Sequence, residues 1–156
     1  TIAKKEGILT SLDPGGSVSR YRLEIVKNLS KLDFLFLNAL ELSRLTGYSP
    51  CVDSALKLVK KGAKKVIVKM GAKGAFLASR KGVKKVRAFK IKAVDTTGAG
   101  DAFDAGFLVS HVAEGRDEGD SLKFACATAA LTCMGYGAQP PMPTKRKVEL
   151  FLESFS

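Results

Sequence analysis

This sequence predicts an α/β layered fold, in which strands and helices alternate around a mostly parallel sheet. Three observations point there. Short apolar runs rich in β-branched residues, such as Val66-Ile67-Val68, alternate with helical stretches through the first half of the chain. A hairpin pattern follows them, and from Asp101 onward the sequence turns helical. No repeat and no linker-like composition interrupts the pattern, so residues 1–156 read as a single domain large enough to bury a real core.

Taken in order, residues 8–13 read as a buried strand stopped by Pro14-Gly15-Gly16. A helix is expected over about 19–29. Residues 33–37 form a second apolar strand ending at Asn38, and 39–45 a short helix closed by Gly47. Ser49-Pro50 signals the next helix, with a capping serine and a proline at the first helical position. Val52, Ala55, Leu56, Val59 and Ala63 make its core stripe. Residues 66–70 are the next strand, followed by the turn Gly71-Ala72-Lys73-Gly74. Strands at 75–79 and 83–89 pair as a hairpin across Arg80-Lys81-Gly82. Helices at 101–114, 121–134 and 145–153 complete the chain.

Composition narrows the function classes. A hydrophobic content of 46% with 15 glycines and 5 prolines is ordinary for a globular domain. No apolar run approaches the ~20 residues of a membrane span, and residues 1–6 carry no signal-peptide hydrophobic region, so cytoplasm is the expected compartment. Of the three cysteines, Cys126 and Cys133 fall seven residues apart on one expected helix, ~10 Å, which is too far for a disulfide. All three, Cys51 included, are read as small buried hydrophobes in a reducing compartment. One histidine, His111, and scattered acids suggest no transition-metal site.

The net charge is +11 and the pI near 9.7, which raises the question of nucleic acid. Basic residues gather at Lys60, Lys61, Lys64 and Lys65, and again from Arg80 to Lys92. Neither run has the interleaved aromatics of a single-strand platform. A solvated, lysine-rich surface explains them better, with steering of a polyphosphate as a by-product.

The chemistry concentrates in residues 95–106, Asp-Thr-Thr-Gly-Ala-Gly-Asp-Ala-Phe-Asp-Ala-Gly. A Gly98-Ala99-Gly100 turn leads into a helix that Asp101 opens. Backbone N–H groups at a helix start, together with the helix dipole, suit an anion. A carboxylate in that position makes sense for phosphoryl transfer, with the Gly98 to Asp101 amides cradling the moving phosphate and Asp101 accepting the acceptor's hydroxyl proton. A simpler reading makes Asp101 a first-turn acid placed for capping and dipole reasons. No G-x-x-x-x-G-K-[ST] loop and no dinucleotide fingerprint is present.

The whole twelve-residue string resembles the C-terminal signature of the PfkB (ribokinase-like) carbohydrate kinase family, D-T-x-G-A-G-D, and the order of elements resembles the C-terminal half of that fold. The resemblance covers nearly the whole chain. It implies a partial ribokinase-like fold without the β-rich lid over the sugar, and ATP and Mg²⁺ as cofactors of phosphoryl transfer to a hydroxyl of a sugar-like substrate. Asn38-Ala39-Leu40-Glu41 looks like the family's N-x-x-E motif, whose glutamate helps to organise magnesium and phosphates. A capping box accounts equally for those residues. Lys69 and the Gly71-to-Gly74 turn are similar to the strand-end segment that lines the nucleotide phosphates, although many relatives have threonine where Lys69 stands. That lysine would meet a phosphate as a point charge.

Asp95 and Thr97 match positions implied to bind a monovalent cation such as K⁺, completed by the loop from Met134 to Pro141 that contains Gly137. Pro141 departs from the serine often found there, which puts one ligand in doubt. The small-residue helix from Ala125 to Ala130 would let a flat base approach, or equally a neighbouring helix. Asp13 ends the first strand among the ligand-facing strand ends, with a turn cap as its other reading. Asp104, one turn from Asp101, is read as a substrate contact or a solvated acid. The resemblance implies a sugar-like small-molecule substrate and an open sheet edge covered by a second copy or by a missing N-terminal half, while the residues themselves argue for no specific nucleic acid and no membrane. An inactive nucleotide-binding remnant, or one half of a split kinase, is the alternative reading.

Overall fold

The computed structural model describes residues 2–155. Tertiary contacts group them into two compact units. The first runs to Met70 and takes in Phe76–Lys84, and the second consists of Gly71–Ala75 and the chain from Lys85 on.

The first unit begins with α1 (Ile2–Lys5), β1 (Ser11–Leu12) and α2 (Arg22–Asn28). It continues through β2 (Phe34–Asn38), α3 (Ala39–Thr46), α4 (Val52–Lys60) and β3 (Lys65–Lys69). The hairpin strands are β4 (Ala75–Ser79) and β5 (Gly82–Val86), and the sheet order is β1-β2-β3-β4-β5. β1, β2 and β3 are parallel, with Leu12 opposite Leu35 and Asn38 opposite Lys69. The links from β3 to β4 and from β4 to β5 are too short for a crossover, so those pairs are antiparallel. Central parallel strands are covered on both faces, which is why Phe34-Leu35-Phe36-Leu37 and Val66-Ile67-Val68 are continuous apolar runs and are buried throughout. Leu42 and Leu45 of α3 and Ala55, Leu58 and Val59 of α4 pack with Leu35, Leu37, Val66 and Val68 into one core.

The second unit is helical: α5 (Ala99–Leu108), α6 (Glu118–Thr132) and α7 (Lys145–Glu153). Asp117 caps α6 by accepting the Gly119 and Asp120 N–H groups, and Thr144 caps α7. Phe124, Ala127 and Val148 form one buried cluster in it, with Phe89 and Phe151 packed against them.

The partial α/β fold expected from the sequence is the one found, and several boundaries move. The first strand shrinks from 8–13 to the two residues of β1, because the Ile8 N–H is drawn back to the Ala3 carbonyl, Ile8 and Leu9 stay exposed, and Asp13 is taken into the turn by accepting the Gly15 N–H. The helix expected over 19–29 is a 3₁₀ turn at Gly15–Ser19 followed by α2. Ser49-Pro50 does not start a helix: Cys51 is the cap, α4 begins at Val52, and Leu58 is more buried than Leu56. Cys51 is thus exposed, not buried. The second hairpin strand ends at Val86 instead of Phe89, whose ring packs edge-on against Phe151 and Phe155. The helix expected from Asp101 starts two residues earlier and widens into a π-helical turn at Val109–Ala113. That expected over 121–134 spans Glu118–Thr132.

Candidate functional site

In the first unit the candidate residues sit at the carboxyl ends of the parallel strands, where open α/β sheets place ligands. Asn38 ends β2 and caps α3. Its side-chain oxygen accepts the Glu41 N–H at 2.9 Å, and Glu41 Oε2 accepts the Asn38 N–H at 2.7 Å. The N-x-x-E segment is therefore a complete capping box. Glu41 is buried, and its cap uses only one carboxylate oxygen, leaving Oε1 for another partner. Lys69 ends β3, and its ammonium lies 2.6 Å from Asp13 Oδ2. Asp13 also accepts the Gly15 N–H through Oδ1, the turn cap foreseen for it. Its pairing with Lys69 was not foreseen. The two residues lie 56 positions apart, and nothing in the local sequence of either marks the other.

In the second unit, Gly71–Lys73 makes a 3₁₀ turn that Gly74 closes by donating to the Gly71 carbonyl at 2.9 Å. Gly74 has φ +99°, and a Cβ there would stand 2.0 Å from the Val86 carbonyl oxygen. No other residue fits that position.

The turn into α5 is built in the same way. Gly98 is the N-cap in a left-handed conformation (φ +77°), and a Cβ on it would press to 3.0 Å from Ala138. The Ala102 N–H closes the first helical turn onto Gly98, whereas the Ala99 N–H is taken by the Thr96 carbonyl at 3.2 Å. Of the amides expected to cradle an anion, Ala99 is thus already committed. Gly100 and Asp101 supply the first-turn N–H groups that have no place in the helical ladder. Asp101 is exposed at this start, one turn before Asp104.

Asp95 and the late loop meet behind that turn. Asp95 Oδ1 accepts the Thr97 N–H (2.9 Å) and hydroxyl (2.7 Å), and Oδ2 accepts the Gly137 N–H at 2.9 Å. The Thr97 N–H first, and then that of Gly137, hold the Asp95 carboxyl below the usual carboxylate range. The Val94 and Asp95 amides both bond to the Cys133 carbonyl at the end of α6. The structure thus brings Asp95, Thr97, Gly98 and Gly137 together.

His111 hydrogen-bonds through Nδ1 to the Arg116 carbonyl and lies beside the Phe107 ring, as an ordinary helix residue would. Burial pushes the Cys126 thiol up to about 12, which suits an inert packing residue. Among the described residues no group of three His, Cys, Asp or Glu side chains is placed to hold a metal ion. Nor is any helix long and apolar enough to cross a membrane.

Comparison with known proteins gives this geometry a setting. A family model described as pfkB family carbohydrate kinase matches residues 1–145. A ribokinase of Arabidopsis thaliana is 38% identical over 152 residues, which cover 93% of this chain and 39% of the relative. The crystal structure of a ribokinase from Thermotoga maritima superposes with a TM-score of 0.85 at 34% identity, over 97% of this chain and 51% of that one. The Arabidopsis thaliana ribokinase complexed with ribose and ATP gives a TM-score of 0.84 at 35% identity, over 96% of this chain and 49% of that one. The chain spans about half the length of the curated relatives it matches.

Proposed function

Because the chain belongs to the pfkB family of carbohydrate kinases, we propose that it is the nucleotide-binding and catalytic part of an enzyme that phosphorylates a sugar hydroxyl with ATP. The observation that carries this reading is the start of α5. A glycine cap leaves the Gly100 and Asp101 amides available, and an exposed carboxylate stands in the same first turn.

In this reading the acceptor hydroxyl attacks the γ-phosphorus as the bond to the β–γ bridging oxygen breaks. Asp101 receives the hydroxyl proton, and ADP leaves with the bridging oxygen. The first-turn amides stabilise the charge on the transferred phosphoryl group, which is where most of the catalysis in such a loose transition state lies. Lys69 and the Gly71-to-Gly74 turn are assigned to the nucleotide phosphates. Glu41, through the oxygen its cap leaves over, is assigned to Mg²⁺. When bound, Mg²⁺ would supply neutralisation of phosphate charge, and because such an ion is held by few protein carboxylates, Glu41 alone would suffice from this chain. Asp95 and Thr97 are assigned to a monovalent cation. The acceptor is a sugar or sugar-like molecule, and the relatives are named for ribose, deoxyribose and fructose.

The test is Asp101→Asn, read by sugar-dependent ADP release and by binding of a non-hydrolysable ATP analogue. Turnover should fall by about 10³-fold, within the range for loss of a general base, while analogue affinity stays within about threefold. Equal losses in both would overturn the assignment. A second reading is one half of a split kinase. Its mark is ADP release that appears only when the complementary half is supplied.

A further inference from the structure

The Lys69–Asp13 ion pair joins two strands that are not neighbours. β2 lies between β1 and β3, and adjacent strands stand ~4.8 Å apart, so the two side chains bridge roughly 10 Å of sheet. They therefore reach toward each other across the carboxyl end of β2, where the Asn38–Glu41 cap starts α3. Each partner is held in place. Gly15 donates to Asp13 Oδ1 at 2.9 Å, which fixes the carboxylate and turns Oδ2 to the lysine. The Lys69 side chain is only 13% exposed, so its stem is packed before any ligand arrives. A lysine stem carries substantial rotamer entropy, and a ligand that meets it already ordered is spared that cost. The ammonium has three donors, so one can stay with Asp13 while another meets an anion.

Resting on the nucleotide-binding reading above, we propose that Asp13 is a positioning residue for Lys69. It holds the ammonium at the carboxyl rim of β1 to β3, ready for the phosphate chain of a nucleoside triphosphate, and it keeps that charge neutralised until the phosphates arrive. The pair raises affinity for the phosphate chain and not for base or ribose.

The experiment measures binding to the full chain of two probes, the magnesium complex of a non-hydrolysable ATP analogue by calorimetry and adenosine by NMR titration. Thermal melts check that each variant is folded. Lys69→Met and Asp13→Asn should each weaken the analogue about tenfold and leave adenosine within about twofold. The double variant should bind no worse than Lys69→Met by more than about twofold, since both changes remove one coupled unit. Asp13→Glu keeps the charge but displaces the ammonium, and it should weaken the analogue severalfold while melting normally.

Five results would overturn the proposal. Unchanged or tighter analogue binding in Asp13→Asn would mean that the carboxylate only neutralises or sequesters the lysine. Full affinity in Asp13→Glu would mean that charge suffices without position. Equal losses for both probes would mark a structural role. Unchanged binding in Lys69→Met would remove the lysine from the phosphates while leaving nucleotide binding intact. Absence of analogue binding by the folded native chain would reject this inference and the nucleotide-binding reading together.

Discussion

Asp33 shows what a single buried charge does in this chain. It stands at the head of β2, where Lys64 meets its Oδ1 at 2.7 Å while Lys4 and the Thr10 N–H and hydroxyl engage its Oδ2. Burial works to raise its pKa, but the Lys4, Lys64 and Thr10 hydrogen bonds outweigh burial and hold it well below the usual 3.8. A depressed carboxylate contributes stability that is fully present above its unfolded pKa, about 3.9. That contribution is lost as pH falls from there through the folded value. Asp33→Asn should therefore cost roughly 2 kcal/mol at pH 7, less than the ~3–5 kcal/mol for breaking a fully buried pair because Lys64 is largely solvent-exposed. It should also flatten the fall in stability between pH 5 and pH 2. Urea midpoints of both proteins across that range check this, and parallel curves would refute it. Lys64 reads in the sequence as part of a solvated basic surface and Lys4 carries no signal of its own, because their common partner lies 31 and 29 residues away. The same limit hid the Asp13–Lys69 pair. The positions of Asp13, Asn38 and Lys69 at strand ends were legible, because strand pattern is local. Which of them touch was not.

At the scale of elements, α7 was legible to the residue and β3 to within one, since capping residues and continuous apolar runs are short-range signals. The misplacements have long-range or unusual causes. Cys51 caps α4 through a box with Ser54, and cysteine lies outside the usual set of capping residues. β5 stops early because Phe89 joins the Phe151 and Phe155 rings, a contact no local pattern announces. The small residues of α6 had two readings, and packing accounts for at least one of them. Gly106 of α5 sits so close to α6 that a Cβ would fall 2.7 Å from Thr128 Oγ1 and 3.3 Å from the Ala125 Cα. Alanine gains about 1 kcal/mol over glycine in a helix interior. Overpacking costs about 1–3 kcal/mol, and Thr128 is buried with its hydroxyl bonded to the Phe124 carbonyl, so it yields poorly. Gly106→Ala should be destabilising by about 1–2 kcal/mol net, whereas Gly16→Ala, with nothing within 4 Å, should be near neutral. Denaturant midpoints of the two variants decide the sign, and a stabilised Gly106→Ala would mean that the two helices separate at little cost.

Across the whole molecule, the sheet treats its two edges differently, and both treatments limit unwanted pairing. β5 is an edge that carries Lys84 and Lys85, both exposed, so part of the +11 net charge guards a strand. β1 is an edge only two residues long, flanked by exposed Ile8 and Leu9. Between them, β2 and β3 have fully buried centres and partners on both sides, so their amides open only when the core itself opens. Native-state hydrogen exchange should therefore be graded across the sheet. It should be slowest at Leu35 to Leu37, at Val66 to Val68 and in β4, which is buried throughout and lies between β3 and β5, and faster by at least about 10²-fold at Ser11 and Leu12, a gap of roughly 3 kcal/mol in opening free energy. The gradient also separates the isolated chain from one that has found a partner. If raising the protein concentration slows exchange at Ser11 and Leu12 toward the rate of β2, the β1 edge is paired with a strand from another copy. If that edge stays fast at every concentration and slows only when the complementary half of a kinase is supplied, the edge is where the two halves join into one sheet.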